Sequence, residues 1–365
     1  MHNYARRPLR MSLLAATLCL PAAHAQRGWW PQELQVTESP GSLAVTTRYY
    51  RFEHDLTRGG AIRLVKLTHG KSANLLVRPM ESRVGVPLPP GAAMERRTPP
   101  VTIYSDLNDG SPAASARRQG KAVIVSTEAA LRTADGRDSN VRVKTTYTYR
   151  WGYVKIHKEF HAARAASLGI VTPLSTMVDP SLSDFGYRPG VAEEVGSSPF
   201  TWQTGQIREW GKIRPGTHFD LPFRTRYMPR YIVLANPGVE GIEWFMSDHL
   251  EQWDYQITGQ PGTAYCELSA STDPLGVRVT LDALNLPGHP LLAKGGTVPL
   301  NGSYVFDYYI GVPILEGHAQ KPWLHESLRG IRTDARAEVG EELIRKWADS
   351  GIREVDRKST RLNSS

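Results

Sequence analysis

The sequence predicts an all-β fold: a large antiparallel β-sandwich, single or as two stacked sandwiches, followed by the first helix of a truncated α/β domain. Three observations predict it. Apolar and polar residues alternate with period two in stretch after stretch between residues 34 and 315. Turn signals separate those stretches: Pro40-Gly41, Asn108-Asp109-Gly110, Asn236-Pro237-Gly238 and Asn301-Gly302. A helical stripe first occurs near the end, at Ala335–Asp349.

The chain opens with a segment to be set aside. Arg6, Arg7 and Arg10 precede the apolar run Met11–Ala22, and Ala23-His24-Ala25 forms an A-x-A site before Gln26. Residues 1–25 read as a Sec-type signal peptide cleaved after Ala25, too short for a membrane span. The expected location is periplasmic or secreted, with no membrane span elsewhere.

The clearest strands follow at Val141–His161. Val141, Val143, Thr145, Tyr147 and Tyr149 alternate with polar residues, Trp151-Gly152 turns the chain, and Val154, Ile156 and Phe160 resume the apolar face, interrupted by Lys158. Further strands are expected at Leu43–Phe52, Ala61–Leu67, Val101–Tyr104, Ala122–Thr127, Tyr231–Ala235, Gly241–Met246, Ala264–Ala270, Val277–Leu284 and Tyr304–Val312. Strands with no helices between them imply sandwich architecture. Residues 86–99 and 110–120, rich in Pro, Gly, Ala and Arg, read as long surface loops.

The pattern changes near residue 325. Val339, Leu343, Ile344 and Trp347 form a helical stripe, acidic residues lead it and basic ones end it, and Gly351 stops it. Ile352–Val355 then begins a strand. Residues 26–325 are therefore the expected sandwich region and 326–355 the start of an α/β domain. The last ten residues, DRKSTRLNSS at 356–365, match the translation of a widely used sequencing adapter in ten consecutive codons and read as an artefact. On that reading the chain is a fragment.

Composition then excludes several functions. The chain has 44 basic and 36 acidic residues, net +8. The leader carries three of those positive charges and the tail a net two more, leaving +3 for residues 26–355. Nothing in that balance supports nucleic-acid binding. Cys266 alone remains after the leader, so an internal disulfide and a cysteine zinc site are both excluded. No cofactor is expected.

Candidate chemistry is sparse. His157 and His161 lie about 13 Å apart on a strand at roughly 3.3 Å per residue, too far to share an ion. Asp106-Leu107-Asn108-Asp109-Gly110 has hard oxygens but lacks calcium-loop spacing and reads as a turn. Glycoside hydrolysis needs two carboxylates about 5–9.5 Å apart, and no motif selects a pair from Asp220, Glu240, Glu243, Asp248, Glu251, Asp254 and Asp307. No catalytic residue is assigned. Aromatic faces stack on the C–H surfaces of sugars, and Trp202, Trp210 and Trp253, beside polar residues in less regular segments, are the carbohydrate-binding candidates. Trp244, Asp248 and Trp323 are the structural or interdomain candidates.

Three stretches carry a resemblance: GIEWFMSDHLEQWD at Gly241–Asp254, YVFDYYIGVPILEG at Tyr304–Gly317 and EELIRKWADSGIREV at Glu341–Val355. Together they resemble secreted bacterial glycoside-hydrolase-like proteins in the neighbourhood of glycoside hydrolase family 123. The resemblance implies an N-terminal β-sandwich region followed by a (β/α)8 barrel that carries the acidic catalytic pair. That barrel would lie beyond Val355, so the resemblance transfers no catalytic residue. It implies an accessory sandwich whose partners are the parent enzyme's carbohydrate substrate and the missing barrel in cis. Two other readings stay open: a stand-alone carbohydrate-binding or adhesion module, and a β-sandwich lyase or epimerase using Tyr and His. Stacked aromatics on an open face favour the module; Tyr, His and Arg together on a concave face favour the lyase.

Overall fold

The computed structural model describes residues 34–47, 49–68, 70–88, 101–150, 153–182, 184–188, 203–206, 218–220, 231–236, 239–246, 257, 267–285, 297–300, 302–311, 331–334 and 355–358. In chain order the strands are β1 (Gln35–Ser39), β2 (Ser42–Thr46), β3 (Tyr50–Asp55), β4 (Ala61–Leu67), β5 (Leu76–Pro87), β6 (Val101–Ser105), β7 (Ala113–Gln119), β8 (Ala122–Arg132), β9 (Asp138–Tyr149), β10 (Tyr153–Ala162), β11 (Ala166–Leu168) and β12 (Ile170–Val178). The later ones are β13 (Asp184–Arg188), β14 (Gln203–Gln206), β15 (His218–Asp220), β16 (Tyr231–Asn236), β17 (Glu240–Met246), β18 (Glu267–Asp273), β19 (Gly276–Asp282), β20 (Leu284–Asn285), β21 (Val298–Leu300), β22 (Ser303–Gly311), β23 (Ile331–Asp334) and β24 (Val355–Lys358). The fold is all-β, and its two main sheets are antiparallel throughout.

A four-stranded sheet runs β1-β2-β3-β4, and a 16-stranded sheet runs through β17-β22-β10-β9-β8-β6-β5-β12-β19. The long sheet curls. In its order three strands separate β10 from β5, yet Lys158 of β10 hydrogen-bonds Ser82 of β5 at 2.5 Å. The Tyr308 hydroxyl of β22 likewise reaches the Pro173 carbonyl of β12 at 3.5 Å. Two halves of one sheet thus face each other as the layers of a sandwich. The corner is β6, which pairs with β5 over five residue pairs but meets β8 only at Ser105–Arg132.

Alternation does the sorting. On β9 the odd residues from Ser139 to Tyr149 are buried and the intervening ones face outward. On β22, Tyr304, Phe306, Tyr308 and Ile310 point inward. The small sheet covers the end of this core. Phe52 packs edge-on against Tyr149 at 5.7 Å, and His54 against Tyr147 at 4.6 Å. Such aromatic pairs each contribute roughly 0.5–1.5 kcal/mol beyond their area.

Three expectations need correction, and one strand was not expected. Leu43–Phe52 is not one strand: the Thr47 hydroxyl accepts from the Tyr49 and Tyr50 amides, turning the chain between β2 and β3. Residues 110–120 are not a loop but hold β7, an edge strand whose small and arginine side chains are nearly all exposed. Residues 86 and 87, expected in a loop, close β5 instead, and residues 89–99 lie outside the described residues. Strand β12 went unforeseen; its residues from Val171 to Val178 are all buried, so no alternation marks it. The helix expected at Ala335–Asp349 lies outside the described residues. Strands β23 and β24 pair in parallel, and β24 consists largely of Asp356–Lys358, part of the tail read above as an adapter artefact.

Candidate functional site

Three polar constellations stand out, one outside the sandwich and two within it. The outer one follows from register. On β10 the residues Tyr153, Lys155 and His157 face away from the core. Their β22 partners are Gly311, Tyr309 and Asp307. Gly311 also pairs with Glu243 of β17, and a Cβ on Gly311 would lie 2.0 Å from a Glu243 carboxylate oxygen. Three strands therefore bring two tyrosines, two carboxylates, a lysine and a histidine onto one face.

The distances are short. The Tyr153 and Tyr309 rings lie 5.9 Å apart, tilted by 60°, and Tyr153 is 38% exposed. His157 Nδ1 is 2.9 Å from Asp307 Oδ1, and Lys155 Nζ is 3.7 Å from the same oxygen. Across β9, His161 Nε2 of β10 stands 3.8 Å from Glu128 of β8. Chemically the face offers aromatic C–H stacking surface, carboxylate acceptors and ammonium and imidazole donors.

The first interior constellation is the polar interruption seen at Lys158. Its Nζ donates to Ser82 Oγ, and the Ser82 amide donates to Asp106 Oδ1 at 2.9 Å. Burial pushes the Asp106 carboxyl up to about 6, against the nearby Lys158 ammonium and the Ser82 bonds. Burial also brings the Lys158 amine down to about 8, against the carboxylates of Asp106 and Glu81. Asp106 sits here because Ser105 caps the 3-10 turn Asp106–Asn108 and Gly59 packs on its carbonyl. A Cβ on Gly59, whose φ is +66°, would lie 2.4 Å from that oxygen.

The polar side chains of the same turn are engaged within the fold. Asp109 spends its carboxylate on the Ala130 and Ser111 amides, and Asn108 donates to the Arg132 carbonyl. Among the described residues no group of three His, Cys, Asp or Glu could hold a metal ion.

The second interior constellation lies on the other side of β5. Glu81 accepts from the Ser105 hydroxyl at 2.6 Å and stands 3.9 Å from Arg83. Asp282 accepts from the Thr172 hydroxyl, and burial pushes its carboxyl up to about 6, opposed by that bond and by Arg83.

The tyrosines and histidine of the concave side are sealed. His54 is fully buried, with Nδ1 2.8 Å from the Gly60 carbonyl and Nε2 2.6 Å from the Tyr149 hydroxyl. Nδ1 is thus the donor, and Nε2 accepts the tyrosine proton. Burial holds this imidazole down to about 4, against the Gly60 bond.

Trp244 is wholly buried in the core, and its Nε1 has no acceptor among the described residues. Glu240 is buried too, its oxygens accepting the Ser72 amide and hydroxyl. Trp202, Trp210, Trp253, Asp248 and Trp323 lie outside the described residues, as do Glu251 and Asp254. Residue-type reasoning missed Tyr153 and Tyr309. The signal for them was present in the alternation of β10 and β22, but only their long-range register joins them.

No protein-family model and no curated protein matches the sequence. Among solved structures, the galactosidase domain of an alpha-galactosidase–sucrose kinase aligns at 8% identity and TM-score 0.44, over 80% of this chain and 43% of that one. A GH36 alpha-galactosidase from Geobacillus stearothermophilus aligns at 10% identity and TM-score 0.45, over 88% of this chain and 50% of that one. A galactose mutarotase-like protein from Clostridium acetobutylicum aligns at 8% identity and TM-score 0.43, over 77% and 98%. The chain spans half or less of the length of the first two. Likeness at this level assigns no function. Among the described residues no helix is long and apolar enough to cross a membrane.

Proposed function

We propose that this chain is the carbohydrate-directed, non-catalytic β-sandwich of an exported glycoside-hydrolase-like protein, and that the outer face around Tyr153 and Tyr309 binds neutral saccharide. The carrying observation is the tilted tyrosine pair on an outward face, flanked by Asp307, Glu243, Lys155 and His157. Rings of that kind present a surface to the apolar side of a pyranose, while carboxylates and amines bond its hydroxyls. The carboxylates outnumber the lysine, so an anionic sugar gains nothing there.

The lyase-like alternative calls for Tyr, His and Arg together on an accessible concave face. Here His54, Tyr147 and Tyr149 bond and pack against one another beneath the small sheet. The resemblance at Gly241–Asp254, Tyr304–Gly317 and Glu341–Val355 supports the parent-enzyme part of the reading.

Affinity electrophoresis of the purified chain against a panel of neutral and acidic polysaccharides tests the binding. Retardation by a neutral glycan, lost in Tyr153→Ala, is the expected result. Turnover of aryl glycosides that disappears when a residue within 26–320 is changed places an active site in the sandwich and overturns the non-catalytic reading.

A further inference from the structure

We infer that Lys158, Ser82 and Asp106 form a pH-sensitive latch between the two layers, holding the sandwich least firmly near neutral pH and more firmly on either side. The geometry comes first. The three residues belong to β10, to β5 in the facing layer and to the turn after β6, and they are 2%, 0% and 4% exposed. Ser82 is the one hydrogen-bond partner of the Lys158 ammonium among the described residues, and it stands between that cation and the Asp106 carboxylate. The opposite charges are thus joined through a hydroxyl and an amide rather than by direct contact. An ion pair held that loosely recovers little of what dehydration costs it.

The surroundings supply no second partner. Glu81 on β5 is the nearest further charge; it is turned to the other side of the strand, where Ser105 and Arg83 hold it. Tyr147 on β9 and Tyr308 on β22 face Asp106, and both phenols are kept neutral by burial. Thr127 on β8 and Thr145 on β9 bond Tyr147. His54 on β3 lies behind the Tyr147 ring. Desolvation therefore dominates both ends of the latch.

The signs follow from linkage. The Asp106 carboxyl rises from 3.8 to about 6, so the folded chain binds its proton more tightly. Stability is gained below 3.8 and lost as pH rises towards 6. The Lys158 amine falls from 10.5 to about 8, so the folded chain releases its proton more easily. Stability is regained as pH climbs from 8 towards 10.5. Between 6 and 8 both groups are charged and the latch is weakest.

Denaturant unfolding of the full chain from pH 4 to pH 10 tests this. Wild type is compared with the Asp106→Asn/Lys158→Met double variant, so that His54 and Asp282 cancel in the ratio of unfolding constants. That ratio is expected to peak between pH 6 and 8 and to fall on both flanks by up to about tenfold per pH unit. Asp106→Asn alone should remove the acid flank, and Lys158→Met alone the alkaline one. A ratio flat across the range overturns the latch. Should the variants not fold, nitrogen-15 NMR of the wild-type lysines decides: a Lys158 Nζ titrating near 8 supports the latch, and one titrating above 10 overturns it.

Discussion

Lys155 and Lys158 sit three residues apart on β10, and they live in different media. Lys155 points outward, its side chain 40% exposed, with Asp307 3.7 Å away. Lys158 points inward, is 2% exposed and touches a serine. The histidines repeat the contrast: His157 is a half-exposed partner of Asp307, while His54 is a fully buried neutral bridge to Tyr149. Strand parity alone separates the two lysines. What a charged residue does here is decided by the face it occupies, more than by its type.

The comparison breaks most easily at Lys158. Lys158→Ala leaves Ser82 without its cation and opens a void in the core, and should cost about 2–5 kcal/mol at pH 7. Lys155→Ala should stay within about 0.5 kcal/mol. Urea titration of both variants checks this, and equal losses would dissolve the distinction between the faces.

The histidine pair sharpens it on a pH axis. Burial lowers the His54 imidazole from 6.5 to about 4, so the unfolded chain takes up the proton first. Its contribution is fully present above pH 6.5 and is lost as pH falls towards 4, on the order of 3 kcal/mol. Asp106 opposes it over part of that window, so the comparison is His54→Gln against wild type at each pH. A smaller effect is expected on the outer face: Tyr153→Ala should weaken saccharide binding by on the order of 1 kcal/mol, about fivefold, with Tm unchanged. Parallel variants of Trp202, Trp210 and Trp253 show whether those tryptophans share the surface. The smallest effect concerns the end of the chain. Removing residues 336–365 should shift Tm by less than about 5 °C, and a larger fall in a thermal scan means that this segment belongs to the sandwich.

Much of the fold was legible where the pattern is local. The β9–β10 hairpin declares itself because each strand has one wet and one dry face and a short turn between them. The expected Ala61–Leu67 strand coincides with β4. Strands with uniform surroundings were not legible: β12 is buried on both faces and β7 exposed on both, so neither alternates. The site was less legible still. Lys158 was visible as an irregularity in an apolar face, but its partners Ser82 and Asp106 lie 76 and 52 residues upstream on a different layer. Tyr153 and Tyr309 meet only because β10 and β22 align as they do. The expected tryptophans were selected by residue type, which carries no information about register.

The bond from Ser72 to Glu240 sets an order of events. It fastens the loop after β4 to the start of β17, and Gly70 clears the space, since a Cβ there would lie 2.3 Å from a Glu240 oxygen. Its two ends are separated by 168 residues. A ring that long closes slowly, and its clasp cannot form until most of the molecule has arrived. Because the chain is made amino end first, Ser72 exists well before Glu240, and the clasp closes only once β17 has been made. Any delay in making β17 is a delay in that clasp.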